Sequence, residues 1–67
     1  MTEKIRQDIE KTYIQMEENL QHLINDVQNL SFTHPDIAPI VNKLKKDLQN
    51  LRKAHTELND YINITFL

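Results

Sequence analysis

The chain lacks cysteine and glycine altogether and has only two prolines among its 67 residues. Without cysteine there is no disulfide and no thiolate metal site. Without glycine there is no glycine-rich phosphate loop, no dinucleotide-binding fingerprint and no Asn-Gly hairpin turn. The three histidines, His22, His34 and His55, are scattered instead of standing at metal-ligand spacing. We therefore expect no metal, no cofactor and no small-molecule substrate.

Long apolar runs and an excess of basic residues are also missing. A membrane span needs about 18 or more consecutive apolar residues, and no stretch comes close. The first residues, MTEKIRQDIEK, are too charged for a secretory signal. Ten acidic and eight basic residues are interspersed, giving a formal net charge of −2 and no basic stripe for nucleic-acid phosphates. We expect a cytoplasmic protein without a membrane span or a nucleic-acid partner.

What the sequence does contain is a heptad rhythm of apolar residues. They recur in alternating steps of four and three from Ile9 to Leu30, and again from Ile37 to Ile62. This spacing is typical of helices with a narrow apolar seam. The predicted seam consists of Ile9, Tyr13, Met16, Leu20, Leu23, Val27 and Leu30, followed by Ile37, Val41, Leu44, Leu48, Leu51, His55, Leu58 and Ile62.

The only break is NLSFTHPDIAP, residues 29–39, which holds both prolines. Thr33 or Asp36 can cap a second helix, and proline suits its first turn, where the missing N–H costs little. An alternative is a recognition loop that presents Phe32 and His34 to a partner. Because the loop is short, the two helices should lie antiparallel as neighbours.

We predict one all-α domain over residues 1–67, a coiled-coil-like antiparallel hairpin. The first helix covers about 2–30, the turn about 31–36, the second helix about 36–63, and an apolar tail 64–67. A single continuous helix is the rival architecture, and the two prolines argue against it. The sequence leaves open whether the tail is helical or extended.

Folding at about residues 33–34 pairs positions whose numbers add to roughly 67–69. His55, the one polar member of the second seam, then meets Tyr13, and Glu17 faces Arg52. We interpret Tyr13 and His55 as a structural polar pair, because polar seam residues set register and partner number. The alternative interpretation is a pH-sensitive contact, since histidine titrates near neutrality.

One hairpin cannot cover both sides of its own seam. Apolar residues off the seam are therefore the natural surface for further helices. We predict self-association into a four-helix bundle, with a homodimer as the expected form, or docking of the hairpin on another protein. The predicted partner-binding residues are Ile14, Ile24, Ile40 and Tyr61, with Phe66 and Leu67 from the tail.

An enzyme is not expected. The acidic pair Glu17 and Glu18 lies on an exposed arc, and a two-helix hairpin offers no desolvated cleft for acid–base chemistry. We predict instead a non-enzymatic protein–protein interaction module: a small adaptor, a co-chaperone or an inhibitor of a larger intracellular protein. It would act by packing helix against helix.

Two resemblances suggest alternatives. FTHPDIAPIVNKL, residues 32–44, resembles the turn and second-helix start of Spo0E-like aspartyl-phosphate phosphatases, small hairpins that act on response regulators. Their Ser-Gln-x-Leu-Asp signature would fall on residues 41–45, where only Leu44 matches. The resemblance thus implies a regulator that sequesters a response regulator, kinase or transcription factor, as a phage-type antirepressor would, without phosphatase activity. In length and architecture the chain is also similar to type III secretion needle co-chaperones.

Overall fold

The computed structural model describes residues 2–66, and the side chains of residues 3–65. Helix α1 spans Thr2–Ser31, a 3₁₀ turn spans Pro35–Ile37, and helix α2 spans Ala38–Phe66. The two long helices pack side by side and antiparallel, and residues 2–66 contain no strand. The predicted all-α hairpin is confirmed.

Both helices consist of residues that favour helix, and neither has glycine or proline in its interior. Glu3 lies in the first turn of α1, where a negative charge complements the helix dipole. Helix α2 continues to Phe66 and so includes most of the segment that the sequence leaves open as a tail. The side chain of Phe66 and all of Leu67 lie outside the described residues.

The turn is built from hydrogen bonds that satisfy the last carbonyls of α1. The Thr33 hydroxyl donates to the Leu30 carbonyl at 3.1 Å, and the His34 amide donates to the same oxygen at 2.9 Å. His34 precedes Pro35 and leaves helical geometry, with φ −131° and ψ 76°. Of the two candidate caps for the second helix, Thr33 does not act as one, because its side chain bonds back to the first helix.

The hairpin core is small. Its buried members are Ile24, Val41, Leu48 and Ile62. Three of these are predicted seam residues, but Ile24 is not. The prediction that Ile24 lies on an outer flank is wrong, since it is only 2 % exposed. It is buried between the helices beside Leu48, and the neighbouring seam residue Leu23 is 47 % exposed instead.

Helix α1 is rotated so that one half of its predicted seam is central and the other half lies to one side, whereas Ile37, Leu44 and Leu51 stay half-buried. The central row consists of Tyr13, Leu20 and Val27 of α1 with Val41, Leu48, His55 and Ile62 of α2. Rotation in this direction buries Ile24 and lets Glu17 reach Arg52. The second half of the heptad pattern is left at the edge of the core.

The molecule is long and thin. Its principal extents are 50 × 16 × 8 Å, and its radius of gyration is 15.6 Å. A compact chain of this length would have a radius of gyration of about 11 Å. Two helices in a single layer therefore expose apolar side chains that a further layer would cover.

Candidate protein-binding face

The outstanding feature of the surface is an apolar face that runs the length of the hairpin. We call it the open face. It comprises the seam residues left beside the core, every seventh position of the chain: Ile9, Met16, Leu23, Leu30, Ile37, Leu44, Leu51 and Leu58. Seven residues are nearly two helical turns, so the four residues of α1 form one row. Ile37 in the 3₁₀ turn begins a second row, which Leu44, Leu51 and Leu58 continue on α2.

The row on α1 is the more exposed of the two. Met16, Leu23 and Leu30 are each about half exposed, while three of the four positions from α2 are half-buried. Near the chain termini the rows enclose a groove of about 430 Å³, which Ile9, Met16, Leu51 and Leu58 line. Such a continuous apolar strip is typical of a protein–protein contact surface.

Two further rows border the open face. We call them the edge rows, and helical geometry places each next to the open face on its own helix. The edge row of α1 is Ile5, Thr12, Asn19 and Asp26; that of α2 is Ile40, Asp47, Ala54 and Tyr61. All eight residues are exposed. Only the two aspartates among them are charged, so the edge rows extend the weakly polar surface on both sides.

The opposite side of the central row is polar. Here the Arg52 Nε donates to Glu17 Oε2 at 3.1 Å, and the Tyr13 hydroxyl donates to the same oxygen at 2.5 Å. The predicted Glu17–Arg52 pair therefore forms. The hydrogen bonds from Tyr13 and Arg52 hold the pKa of the Glu17 carboxyl below its usual value, and the bond to Glu17 raises the pKa of the Tyr13 hydroxyl.

Tyr13 and His55 lie together as the antiparallel register predicts. Their rings stack with centroids 3.6 Å apart and an angle of 9° between the planes. His55 Nε2 is 2.8 Å from Glu10 Oε2 and 3.4 Å from Asn59 Nδ2. Because an ionised carboxylate only accepts hydrogen bonds, the His55 Nε2–H donates a hydrogen bond to Glu10 Oε2. A protonated Nε2 has no lone pair left to accept a hydrogen bond from the Asn59 amide.

The stacked pair thus joins two different surfaces. Its rings form part of the lining of the apolar groove on the open face. Its polar atoms point to Glu10 and Glu17 on the other side. A polar pair in the seam is accommodated because every hydrogen bond it makes lies away from the open face.

The predicted partner-binding residues do not form one patch. Ile40 and Tyr61 are exposed on the edge row of α2. Ile14 is 46 % exposed, but it lies among Gln7, Lys11 and Gln15, away from the open face. Ile24 is in the core, and the side chains of Phe66 and Leu67 are outside the described residues.

The open face itself was missed as a surface. Its residues were all identified as seam, so they were expected inside the hairpin. The sequence signal that distinguishes them is the polar row on the other side of the central row. There Glu17 pairs with Arg52 and Glu10 pairs with His55, both across the hairpin. Polar residues able to pair across the hairpin thus mark which half of the heptad faces outward.

Other kinds of site find no support in the described part of the chain. Among residues 2–66, no group of three histidine, aspartate or glutamate side chains could hold a metal ion. Neither described helix has a stretch sufficiently long and apolar to span a membrane. No protein-family model matches this chain, and no curated protein or solved structure shows significant similarity to it.

Proposed function

We propose that the protein is a non-enzymatic protein-interaction module that binds another polypeptide through its open face. The observation that carries the proposal is the open face itself: eight apolar residues, four from α1 and four from the turn and α2, in rows that no polar residue interrupts. An adaptor, a co-chaperone and an inhibitor all need such a surface, and an antirepressor-like regulator would use it in the same way.

The exposed area supports a binding role. The chain exposes 5476 Å², roughly 1,000 Å² more than the about 4,450 Å² expected for a compact monomer of its mass. A standard protein interface buries about 800 Å² on each partner. The excess is therefore about the size of one side of an interface, and small helical proteins commonly complete their core by association.

The mode of binding follows from the chemistry of the face. Leucine, isoleucine and methionine in rows one heptad apart pack into the grooves of facing helices. The neighbouring edge rows contribute few charges, so little polar surface has to be desolvated on binding. The occupant is a helical surface of another chain, either a second copy of this protein or a different protein.

A site-specific photocrosslinker tests the proposal directly. Benzophenone-bearing residues are placed singly at Leu23, on the open face, and at Gln15, on the solvent side of the same helix. Both variants are expressed in the cells that encode the protein and irradiated. We expect a discrete crosslinked polypeptide at Leu23, either a dimer of this chain or an adduct with another protein, and none at Gln15.

The same experiment can refute the proposal. If Leu23 forms no adduct, or if the adducts at Leu23 and Gln15 are identical, the open face is not a binding surface. Circular dichroism of each variant shows whether helix content is preserved, so that a failure to crosslink is not confused with unfolding.

A further inference from the structure

We propose that the occupant of the open face is a second copy of this chain, and that the two hairpins pack with their turns at the same end. In this arrangement α1 of each copy lies over α2 of the other. The inference rests on the proposed function, because it names the partner of the same face. Three features of the hairpin support it: the excess area, the register of the rows and the order of residues along the edges.

The excess of exposed surface area matches the area that a second copy of the chain would bury. Each chain exposes roughly 1,000 Å² beyond a compact monomer, and a two-fold dimer buries the same patch on both subunits. The pair would therefore bury about 2,000 Å² in total, within the usual range for stable interfaces. The hairpin is only 8 Å thick along its shortest axis. The second hairpin then forms a second layer that covers the apolar open face.

The rows of the open face are in register with each other. Antiparallel pairing places Ile9 at the height of Leu58, and Leu30 at the height of Ile37, with two further pairs between them. A two-fold axis parallel to the helices lays the α1 row of one copy over the α2 row of the other at these same heights. Both rows repeat every seven residues, so their side chains can interdigitate along the whole length.

The edge rows decide the orientation. With the turns together, the edge row of α1 runs beside the edge row of α2 from the other copy. Ile5 then lies at the height of Tyr61, and Thr12 at the height of Ala54. The amide of Asn19 meets the carboxylate of Asp47, which it can donate to.

The one acidic residue on the α1 edge also finds a complement. Asp26 lies at the height of Ile40 from the other copy and close to the height of Lys43, which follows on the outer side of α2. Ile5 thus meets an aromatic residue, and each aspartate has a donor within reach. A charge pair at the rim contributes little affinity, but it does select orientation.

The reverse arrangement, with turns at opposite ends, lacks this match. The edge row of α1 would then lie against its own reversed copy. Asp26 would be placed beside Ile5 and Asp47 beside Ala54, so that both aspartates face apolar residues, whereas with the turns together only Asp26 does.

A distance measurement between the two turns distinguishes these arrangements. The chain has no cysteine, so His34→Cys, at an exposed turn residue, gives a single nitroxide label. With the turns together, helix spacings of 8–10 Å put the labels roughly 10–25 Å apart by double electron–electron resonance. With the turns at opposite ends, the separation approaches the 50 Å length of the hairpin.

A charge exchange tests the edge contact itself. Asp26→Lys places a lysine beside Lys43 of the other copy and should raise the dimer dissociation constant at least about threefold, since two such contacts change in each dimer. The double variant Asp26→Lys with Lys43→Asp should restore it. Glu18→Lys, the same charge change at an exposed position outside the open face and the edge rows, is the control and should leave the dissociation constant unchanged.

Each outcome is decisive. Short label distances with rescue by the double variant support the proposal. Distances near 50 Å, or a double variant no better than the single one, overturn the shared-end arrangement. A monomer without dipolar coupling at any micromolar concentration overturns the second copy as occupant. In that case a Leu23 photoadduct with another protein would show that the proposed function still stands.

Discussion

At the scale of single residues, Ile24 and Ile14 show how differently two isoleucines of one helix can be placed. Ile24 is 2 % exposed between the helices, whereas Ile14 is 46 % exposed beside polar neighbours. Both were predicted as partner contacts from the same argument, that they lie off the heptad seam. Sequence alone does not separate them, because the rotation of each helix about its axis depends on which cross-helix pairs form.

The two isoleucines make a matched test of the core. Ile24→Ala should lower the free energy of unfolding by about 2–3 kcal/mol, the low end for a large-to-small change in a core this thin. Ile14→Ala should lower it by less than about 1 kcal/mol. Urea denaturation at one fixed protein concentration measures both. Equal losses would contradict the observed helix rotation.

Glu17 gives a prediction for the acid side of the pH range. Its pKa is lowered from an ordinary value of 4.5 by hydrogen bonds from Tyr13 and Arg52. A lowered carboxyl pKa contributes stability that is present above the ordinary value and is lost as the pH falls through the folded value. Glu17→Gln should therefore melt below the wild type at neutral pH, by an amount that shrinks below pH 4.5.

Glu18→Gln is the control for that measurement, since it removes the same charge from the exposed adjacent position. Thermal melts across the acid range should show little pH-dependent difference between this variant and the wild type. If Glu17→Gln and Glu18→Gln behave alike, the Tyr13–Glu17–Arg52 contacts do not stabilise the fold.

At the scale of the elements, much could be predicted from sequence. Two helices, their antiparallel order and the meeting of Tyr13 with His55 all follow from heptad spacing and a proline-containing break. What could not be predicted is the rotation that turns Met16, Leu23 and Leu30 outward. The a and d positions of the heptad are both apolar here. The apolar pattern alone therefore predicts burial for both and does not indicate which of them faces outward.

The turn shows a second limit of the same kind. Thr33 has the chemistry of a helix cap, and two helix ends lie within its reach. Its hydroxyl bonds to the carbonyl of Leu30 rather than to an amide of α2. Residue propensities identify the turn. Local backbone geometry determines whether the Thr33 hydroxyl bonds to the end of the first helix or to the start of the second.

Replacing one member of the stacked Tyr13–His55 pair is expected to raise the stability of the hairpin. His55→Leu exchanges an aromatic stack and one hydrogen bond for deeper apolar burial in the central row. We expect the free energy of unfolding to rise by about 1 kcal/mol, the difference between burying leucine and losing an aromatic pair. Calorimetry measures this change. A fall in the free energy of unfolding would contradict the interpretation that His55 sets the register of the helices at the expense of stability.

At the scale of the whole molecule, we propose that the hairpin is one half of a larger helical assembly. Two helices in one layer leave an apolar face that is about 32 Å long from Ile9 to Leu30, bordered by edge rows that carry only two charges. In this proposal, a chain without disulfides and with a thin core would gain stability by covering that face with another chain. Association and folding are then linked, so that stability rises with protein concentration.

The most direct test is the solution mass by light scattering of the wild type, of Leu23→Glu and of Gln15→Glu. We expect the wild type and Gln15→Glu at twice the 8.0 kDa chain mass, with strong helical circular dichroism. Leu23→Glu places a carboxylate in the centre of the open face and should give a monomer of reduced helix content. A wild type that is fully helical at 8.0 kDa, with Leu23→Glu indistinguishable from it, would contradict dimerisation through the open face.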